Sequence, residues 1–208
     1  MPKIVDHDER RNELAAAVWR LASREGLEAL TVRRVAAEAG WSTGALVHYF
    51  RAKEELIRFA FELTADRLER RIQAAAARLT DPLELARTML IEGLPLDRER
   101  RTEVRLWFAF LGLALTRPAL ASAQRDAYRT WRRTLTGALL EAQGRGVLAP
   151  GVDCDHEAAA LIALADGLAV QATFEPGALP PGRQVELVDE RLGRLRRDVP
   201  APRDSVEA

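Results

Sequence analysis

Apolar residues recur every three or four positions along most of the chain, which is the period of an amphipathic α-helix. Near the N-terminus, for example, Leu14, Val18 and Leu21 are spaced so that they fall on one face of a helix. No segment alternates strictly between apolar and polar residues, as a half-buried β-strand does. The chain is therefore predicted to be all-α, with about nine helices.

Glycines, prolines and capping residues mark the ends of the predicted helices. Gly26 follows the first helix, and Asp81, Pro82 and Glu84 combine an N-cap, a proline at the first helical position and an early carboxylate. The predicted helices cover residues 7–25, two short segments within 31–50, and residues 53–79, 81–93, 97–116, 119–143, 153–174 and 182–197.

These helices divide into a small unit and a larger one. Residues 1–52 are expected to form a three-helix N-terminal domain and residues 53–198 a larger helical domain, while the tail at 199–208 is expected to be disordered. The long helix from residue 53 begins beside the first domain and ends inside the second, so it is a candidate lever. Residues 106–115 are apolar on almost every side, so we expect this segment to be buried.

Residues 31–53 carry the most informative local pattern. Ala36, Gly40 and Leu46 follow the spacing A-x3-G-x5-L. A small residue lets two helices cross closely, a glycine permits the left-handed conformation of a sharp turn, and the leucine anchors the second helix in a core. This pattern is typical of a helix-turn-helix, whose second helix enters the DNA major groove, although an ordinary helical hairpin is the alternative. The candidate N-caps are Thr31 for the first helix and Ser42 or Thr43 for the second.

The same stretch resembles the DNA-binding segment of the TetR family of transcriptional regulators. The matching positions are Gly26-Leu27, Thr31-Val32, Val35-Ala36, Ala39-Gly40, Ser42, Gly44, Tyr49-Phe50, Lys53 and Leu56. The resemblance implies that phosphates are held by Thr31, Ser42, Tyr49 and Lys53.

Base edges are expected to meet the first turns of the second helix. The residues there are Ser42, Thr43, Gly44, Ala45, Val47 and His48. Arg33 and Arg34 are expected to be further phosphate contacts.

The chain departs from the family pattern at two places. Many family members carry tyrosine where this chain has Val47, so one aromatic contact is absent. Trp41 replaces a smaller apolar residue, and we expect its ring to pack under the turn.

Net charge adds little to this picture, because the formal charge of the chain is zero. DNA affinity must therefore come from local patches. Within residues 31–53 the cations are Arg33, Arg34, Arg51 and Lys53, and the one carboxylate is Glu38.

Cysteine usage and hydropathy bear on the compartment. The single cysteine, Cys154, excludes an intramolecular disulfide and suits a reducing cytoplasm. No apolar run of about 18 residues and no signal-like N-terminus is evident, so the protein is expected to be cytoplasmic.

A second resemblance covers the larger domain. Segments 105–110 and 164–168, together with Pro118, Tyr128 and Trp131, are similar to the C-terminal domain of the BetI-like subgroup of the TetR family. It implies a homodimer in which the helices at 153–174 and 182–197 pair with their copies. The small side chains that favour close packing there are Ala158, Ala159, Ala160, Ala163 and Ala165, although they could instead pack within one chain.

The resemblance also implies a ligand pocket between the central helices. Its candidate apolar lining is Phe59, Leu63, Met89, Trp107, Phe108, Phe110, Leu111, Tyr128 and Trp131, and its candidate polar contacts are Glu92, Glu103, Gln124 and Gln171. Aromatic residues at helical spacing also form ordinary cores, and that alternative stays open.

Catalytic chemistry has little support. The histidines are His7, His48 and His156, and the cysteine is Cys154. They complete no Ser-His-Asp set or metal-spaced cluster, and no glycine-rich phosphate loop is present. The chain is expected not to be an enzyme and to need no cofactor or metal.

The most economical function is a dimeric DNA-binding transcriptional regulator. We expect a repressor that a small molecule releases from a palindromic operator. The alternative is a helix-turn-helix dimer without a small-molecule effector, regulated by its concentration or by a protein partner. Activation is equally compatible with the sequence.

Overall fold

Helices account for the regular structure of residues 7–197, the part of the chain that the computed structural model describes. The α-helices are α1 (His7–Glu25), α2 (Val32–Ala39), α3 (Thr43–Val47), α4 (Lys53–Ala76), α5 (Pro82–Glu92), α6 (Arg98–Ala114), α7 (Pro118–Gly144), α8 (Cys154–Phe174) and α9 (Pro181–Gly193), with a 3₁₀-helix at Leu27–Ala29. The prediction of an all-α fold with about nine helices is confirmed. The predicted tail at 199–208 lies outside the described residues.

Side-chain oxygens cap the helices where the sequence predicts it. Thr31, Ser42 and Asp81 each accept a hydrogen bond from a backbone N–H of the first turn, at 3.2, 3.2 and 2.8 Å. Ser42 rather than Thr43 therefore caps α3. Asp153 caps α8 in the same way, at 3.1 Å.

Gly40 makes the sharp turn between α2 and α3. Its φ of 72° and ψ of 22° are left-handed, a conformation that costs other residues energy. The turn is closed by the N–H of Trp41, which donates to the carbonyl of Ala36 at 2.9 Å. The direction of α3 thus depends on this glycine.

One group of buried side chains, the N-terminal cluster, joins α1–α3 and the first part of α4 to the α6–α7 hairpin. From α6 it includes Leu106, Phe110 and Ala114, and from α7 it includes Leu120. The first four helices therefore share their core with α6. A displacement of α6 would disturb the packing of α1 and α4.

A second group, the C-terminal cluster, is formed by α5, α7, α8 and α9 with the far end of α4. It includes Ile72 from α4, Met89 from α5, Leu139 from α7 and Leu161 from α8. The α4 helix contributes to both clusters. Its 24 residues span roughly 36 Å.

Three sequence expectations about helix extent and burial were wrong. The segment 106–115 is not buried throughout, because one face of α6 is exposed at Ala109 and Gly112, and Leu115, just beyond its end, is 87% exposed. The α4 helix ends at Ala76, whereas it was expected to continue to residue 79. The α9 helix ends at Gly193, because residues 195–197 pair with residues 147–149 through backbone hydrogen bonds of 3.2 and 2.9 Å.

The α8 helix is long and apolar enough to cross a membrane by length and composition, with a mean hydropathy of 1.3 over its best window. The expectation that no such apolar run exists was therefore wrong. The core helix of a globular protein can meet the same criterion, and α8 packs against α7 and α9. Only 39% of the most apolar 18-residue stretch of α8 is buried within this chain.

Candidate DNA-binding surface and helical-domain interior

The α3 helix is held by one residue and exposes most of the others. Leu46 is completely buried in the N-terminal cluster. Because a short helix can bury only one face, its remaining side chains point away from the core. The exposed residues are Thr43, Gly44, Ala45, Val47 and His48, which together with the exposed N-cap Ser42 are the residues expected at base edges.

Three of the expected phosphate contacts flank α3 and are exposed. The hydroxyls of Thr31 and Ser42 accept backbone N–H groups at the starts of α2 and α3, which leaves each hydroxyl hydrogen able to donate. Tyr49 is 40% exposed, and its ring lies against that of Trp41 with a centroid distance of 5.8 Å. We refer to these residues, exposed α3 and the nearby cations as the DNA-binding surface, after the role predicted for them from the sequence.

The cations of this surface differ in what already binds them. Arg34 is paired with Glu25, and the Lys53 ammonium donates to the carbonyl and carboxylate of Glu28 at 2.9 and 3.1 Å. Arg33 is exposed and has no ion pair among residues 7–197.

Arg51 is a further cation near α3, and it was not among the residues predicted to contact phosphates. It is exposed and, within the part of the chain that the structure describes, makes no ion pair through its guanidinium. Its backbone N–H donates to Glu55 at 2.7 Å, which fixes the link between α3 and α4. The local excess of cations in the sequence was the signal for it.

Two carboxylates close to the surface are neutralised by arginines. Arg24 and Arg20 donate to Glu38 at 2.9 and 2.8 Å and hold the pKa of its carboxyl below the ordinary value. Hydrogen bonding from Arg34 does the same to the pKa of Glu25. These carboxylates therefore repel a phosphate backbone less than isolated ones would.

Trp41 packs under the turn, which confirms the expectation for it. Its ring is half-buried against the N-terminal cluster, and its indole N–H donates to the Glu13 carboxylate at 3.2 Å. The Arg10 guanidinium lies 6.0 Å from the ring centre. Trp41 thus supports the turn from the α1 side.

The residues expected to line a pocket are divided between the two clusters. Phe59, Leu63, Trp107 and Phe110 belong to the N-terminal cluster. Met89, Phe108, Tyr128 and Trp131 belong to the C-terminal cluster, Leu111 is half-buried, and Gln171 is exposed on α8.

Several of these side chains are in close contact with neighbouring protein atoms. Phe110 is completely buried and stacks on Phe61 with ring centres 3.9 Å apart. Met89 is 2% exposed. The Trp131 ring lies so close to Gly93 that a Cβ there would come within 3.0 Å of it.

The two glutamates expected to contact a ligand both bind Arg71. Arg71 on α4 donates to Glu103 on α6 at 2.9 and 2.5 Å, and to Glu92 on α5 at 2.7 Å. Glu103 is only 6% exposed. Hydrogen bonding to Glu103 raises the pKa of Arg71 above its ordinary value, so the guanidinium stays charged. Arg100 extends this ion network by binding Glu92 at 2.9 Å.

Arg67 connects the ion network to α1. Its guanidinium lies 4.2 Å from the centre of the Trp19 ring on α1. It also pairs with Glu99 at 2.7 Å and lies 3.7 Å from Glu103. A continuous chain of charged and aromatic contacts therefore runs from α1 through α4 to α5 and α6.

A second set of interacting polar side chains lies between α7 and α8. The Tyr128 hydroxyl donates to Asp166 at 2.8 Å, and the Trp107 ring lies edge-on to Tyr128 at 6.3 Å. Burial raises the pKa of Asp166 and also that of Tyr128. Gln124 on α7 is buried, and its carbonyl oxygen has no hydrogen-bond partner among the described residues.

Two surface cavities among the described residues lie away from the side chains expected to line the pocket. An open groove of about 710 Å³ follows α7 between Asp126 and Leu140, and a smaller cleft of about 220 Å³ lies between α5 and α9. Neither is lined by a residue expected in the pocket, so that pocket stays a prediction. Residues 7–197 also contain no group of three or more His, Cys, Asp or Glu side chains able to hold a metal.

The alanines of α8 face in different directions. Ala158 and Ala165 are buried within the chain, whereas Ala163 is exposed. Farther along α8, Val170 is 42% and Phe174 is 78% exposed. The helix thus has one face inside the chain and a second apolar face available outside it.

Comparison with known protein families accounts for nearly all of the described chain. Residues 14–59 match the family of bacterial regulatory proteins named after TetR. Residues 82–197 match the C-terminal domain of BetI-type transcriptional repressors. The chain belongs to the TetR family. It is therefore a DNA-binding transcriptional regulator with a BetI-type C-terminal domain.

Relatives of this TetR-family regulator align over most of its length. It is 38% identical to the transcriptional regulator PksA of Bacillus subtilis over 85% of this chain and 84% of that protein. It is 27% identical to the regulator BetI 1 of Chromohalobacter salexigens over 96% and 98% of the two chains.

Solved structures of similar regulators share the fold. A transcriptional regulator from Rhodococcus sp. Rha1 is 34% identical, covers 91% of this chain and 98% of its own, and superposes with a TM-score of 0.75. A regulator from Saccharomonospora viridis solved with bound choline is 22% identical, with the same coverages and a TM-score of 0.80. The latter likeness concerns the fold alone.

Proposed function

We propose that this TetR-family regulator is a homodimeric repressor that leaves a palindromic operator when a small molecule binds its helical domain. The observation that carries the proposal is α3, anchored by Leu46 while its other side chains face outward. Thr31, Ser42 and Tyr49 with the nearby cations would hold the phosphates, and α3 would contact the bases. Its place of action is the cytoplasm, where the DNA is.

The second apolar face of α8 supports the homodimer. Val170 and Phe174 expose apolar surface that a second copy of α8 would cover. A two-fold dimer presents two α3 helices, and a palindromic operator has the same symmetry. Ala163 lies in the exposed part of α8 and permits close approach of a partner helix.

The ion network supports a route from the helical domain to α3. Arg71 and Arg67 lie on α4, whose first residue, Lys53, belongs to the DNA-binding surface. A ligand that moved α6 would displace Glu103 and, through Arg67, the contact with Trp19. Such a ligand shifts the dimer from one spacing of its two α3 helices to another only if it binds these two conformations of the dimer with different affinity.

Choline is the first effector to test, since a protein with the same fold binds it. Tyr128, Asp166 and Trp107 provide a carboxylate next to aromatic rings, the two kinds of group that attract an organic cation. Choline would have to open space between α7 and α8, because neither surface cavity reaches these residues.

The second candidate function is DNA binding without a small-molecule effector. The stacked rings of Phe61 and Phe110 and the buried Glu103 favour it, because both fill the interior that a ligand would need. The helical domain would then serve dimerisation or a protein partner. Relatives are regulators, and we propose no catalytic role.

A DNA titration tests the proposed function. The purified protein is titrated with the intergenic DNA beside its own gene, with and without choline, and compared with the Tyr49→Ala and Lys53→Ala variants. We expect specific binding in the wild type and a loss of about tenfold or more in each variant. Arg132→Ala, at an exposed position on α7, is the control and should bind as the wild type does. The absence of specific binding to any duplex would contradict the proposal.

A further inference from the structure

Val47 is an exposed apolar side chain that belongs to neither the N-terminal nor the C-terminal cluster. It is 49% exposed at the end of α3. Tyr49 is the other large apolar side chain of the described α1–α4 region with comparable exposure, but its ring contacts Trp41 and it carries a hydroxyl. Val47 offers only methyl groups, on the surface that faces DNA.

The neighbours of Val47 on α3 have few hydrogen-bonding groups. Gly44 and Ala45 have none in their side chains, so Thr43 and His48 are the exposed polar side chains of this helix and its C-cap. Bidentate recognition of guanine or adenine requires Arg, Lys, Asn or Gln, and α3 contains none of them. The chemistry of α3 therefore favours contacts with apolar parts of the bases.

The major groove presents one apolar group on its base edges, the 5-methyl group of thymine. We propose that Val47 is a specificity-determining residue that selects thymine at one position of each operator half-site by packing against this methyl group. The inference rests on the proposed function, because it requires α3 to lie in the major groove. It also implies that 5-methylcytosine, which carries a methyl group at the same ring position, is preferred there over cytosine.

The expected size of the effect follows from burying one methyl group. Removing a buried group of this size costs about fourfold in affinity. A dimer makes the contact twice, so changing both half-sites should cost about sixteenfold.

The test uses uracil, which differs from thymine only by the missing methyl group. An operator is first selected from a pool of random double-stranded DNA with the wild-type protein. Each thymine is then replaced by uracil in turn, and dissociation constants are measured at one salt concentration for the wild type and Val47→Ala. We expect one thymine in each half-site whose replacement weakens wild-type binding about fourfold but leaves Val47→Ala unaffected. Replacing that thymine by cytosine and by 5-methylcytosine should show tighter binding of the methylated base.

Two controls separate recognition from folding. Val47→Thr keeps the branched shape and one methyl group, so it should keep part of the uracil effect. Leu115→Ala truncates an exposed apolar side chain just beyond α6, away from α3 and from the proposed dimer face, and should keep all of it. Thermal unfolding of each variant verifies that α3 is intact.

Different failures have different meanings. If the wild type selects an operator but uracil is harmless at every thymine, the assignment to Val47 is overturned while the DNA-binding function stands. An undiminished uracil effect in Val47→Ala overturns it equally. If no sequence is selected at all, the proposed function fails and this inference with it.

Discussion

The turn before α3 and the interface between α4 and α6 are held together by different kinds of contact. In the turn, Gly40, Ser42 and Leu46 act through their own backbone conformation, a cap and one buried side chain. Between α4 and α6, Arg71 and Glu103 meet across a sequence separation of 32 residues. The first set of contacts is local to one turn, whereas the second joins two helices, with Glu103 binding Arg71 and lying 3.7 Å from Arg67. Under the proposed function, the first set of contacts would keep α3 in place, and the second would change when a ligand binds.

The largest effect is expected for the anchor of α3. Leu46→Ala removes a completely buried side chain and should lower the free energy of unfolding by about 2–5 kcal/mol. DNA affinity should fall with it, because α3 would lose its only fixed face. Leu115→Ala is the matched control, since that side chain is 87% exposed, and its effect should stay within about 0.5 kcal/mol. Urea unfolding of both variants measures the difference, and equal effects would contradict the packing described here.

The ion network should be the next most sensitive site. Glu103→Gln leaves Arg71 with Glu92 as its remaining carboxylate partner and should destabilise the fold by about 2–4 kcal/mol. Glu99→Gln breaks an exposed pair with Arg67 and should cost about 0–1 kcal/mol. Chemical unfolding distinguishes the two. A Glu103 variant as stable as the Glu99 variant would show that burial of this pair contributes nothing.

Substitution of Gly40 tests the turn conformation alone. An added Cβ meets no atom within 4 Å, so the cost of Gly40→Ala comes from the left-handed backbone and should be about 1–2 kcal/mol. Gly137→Ala, in the middle of α7, also meets no atom but has helical geometry, so it should stabilise the fold by about 0.5–1 kcal/mol. Opposite signs in thermal unfolding would support the account, and a harmless Gly40→Ala would contradict it.

The smallest expected effect is a change in the pH dependence of stability. Burial raises the pKa of Asp166 in the folded state above its ordinary value of 3.8, so the folded chain binds this proton more tightly than the unfolded chain. This tighter proton binding stabilises the folded state at low pH. The contribution is lost as the pH rises through the folded-state pKa of Asp166. Asp166→Asn should therefore gain stability relative to the wild type as the pH rises from about 4 towards neutral. Exposed Asp66→Asn is the control, and the same trend in both variants would exclude Asp166 as its source.

The turn and the helix caps were predictable because their causes are local. Thr31, Ser42 and Gly40 act on residues within a few positions, so residue type and spacing were sufficient to place them. Leu46 was also predictable, because its place in the A-x3-G-x5-L spacing is that of the residue that anchors the second helix in the core. The same reasoning explains why Trp41 was correctly expected beneath the turn.

The interior was less predictable because its contacts join distant parts of the chain. Glu103 was expected to meet a ligand, and the sequence contains no sign that Arg71 is its partner. Trp107, Phe110 and Met89 were apolar at helical spacing, a pattern common to pocket linings and packed cores. Leu115 was expected to be buried because its segment is apolar, but the side of α6 that faces the neighbouring helices decides burial.

The salt dependence of DNA binding tests the central claim, that the exposed side of α2, α3 and the start of α4 is the DNA-binding surface. Affinity for a selected operator is measured across a range of salt concentrations for the wild type, Arg33→Ala, Arg51→Ala and the distant control Arg132→Ala on exposed α7. A substitution that removes one ion pair with a phosphate should reduce the slope of log affinity against log salt by about 0.9 per protomer. The account predicts this reduction for Arg33→Ala and Arg51→Ala and an unchanged slope for Arg132→Ala. Unchanged slopes for both Arg33 and Arg51, or a reduction for Arg132, would place the DNA on a different face of the molecule.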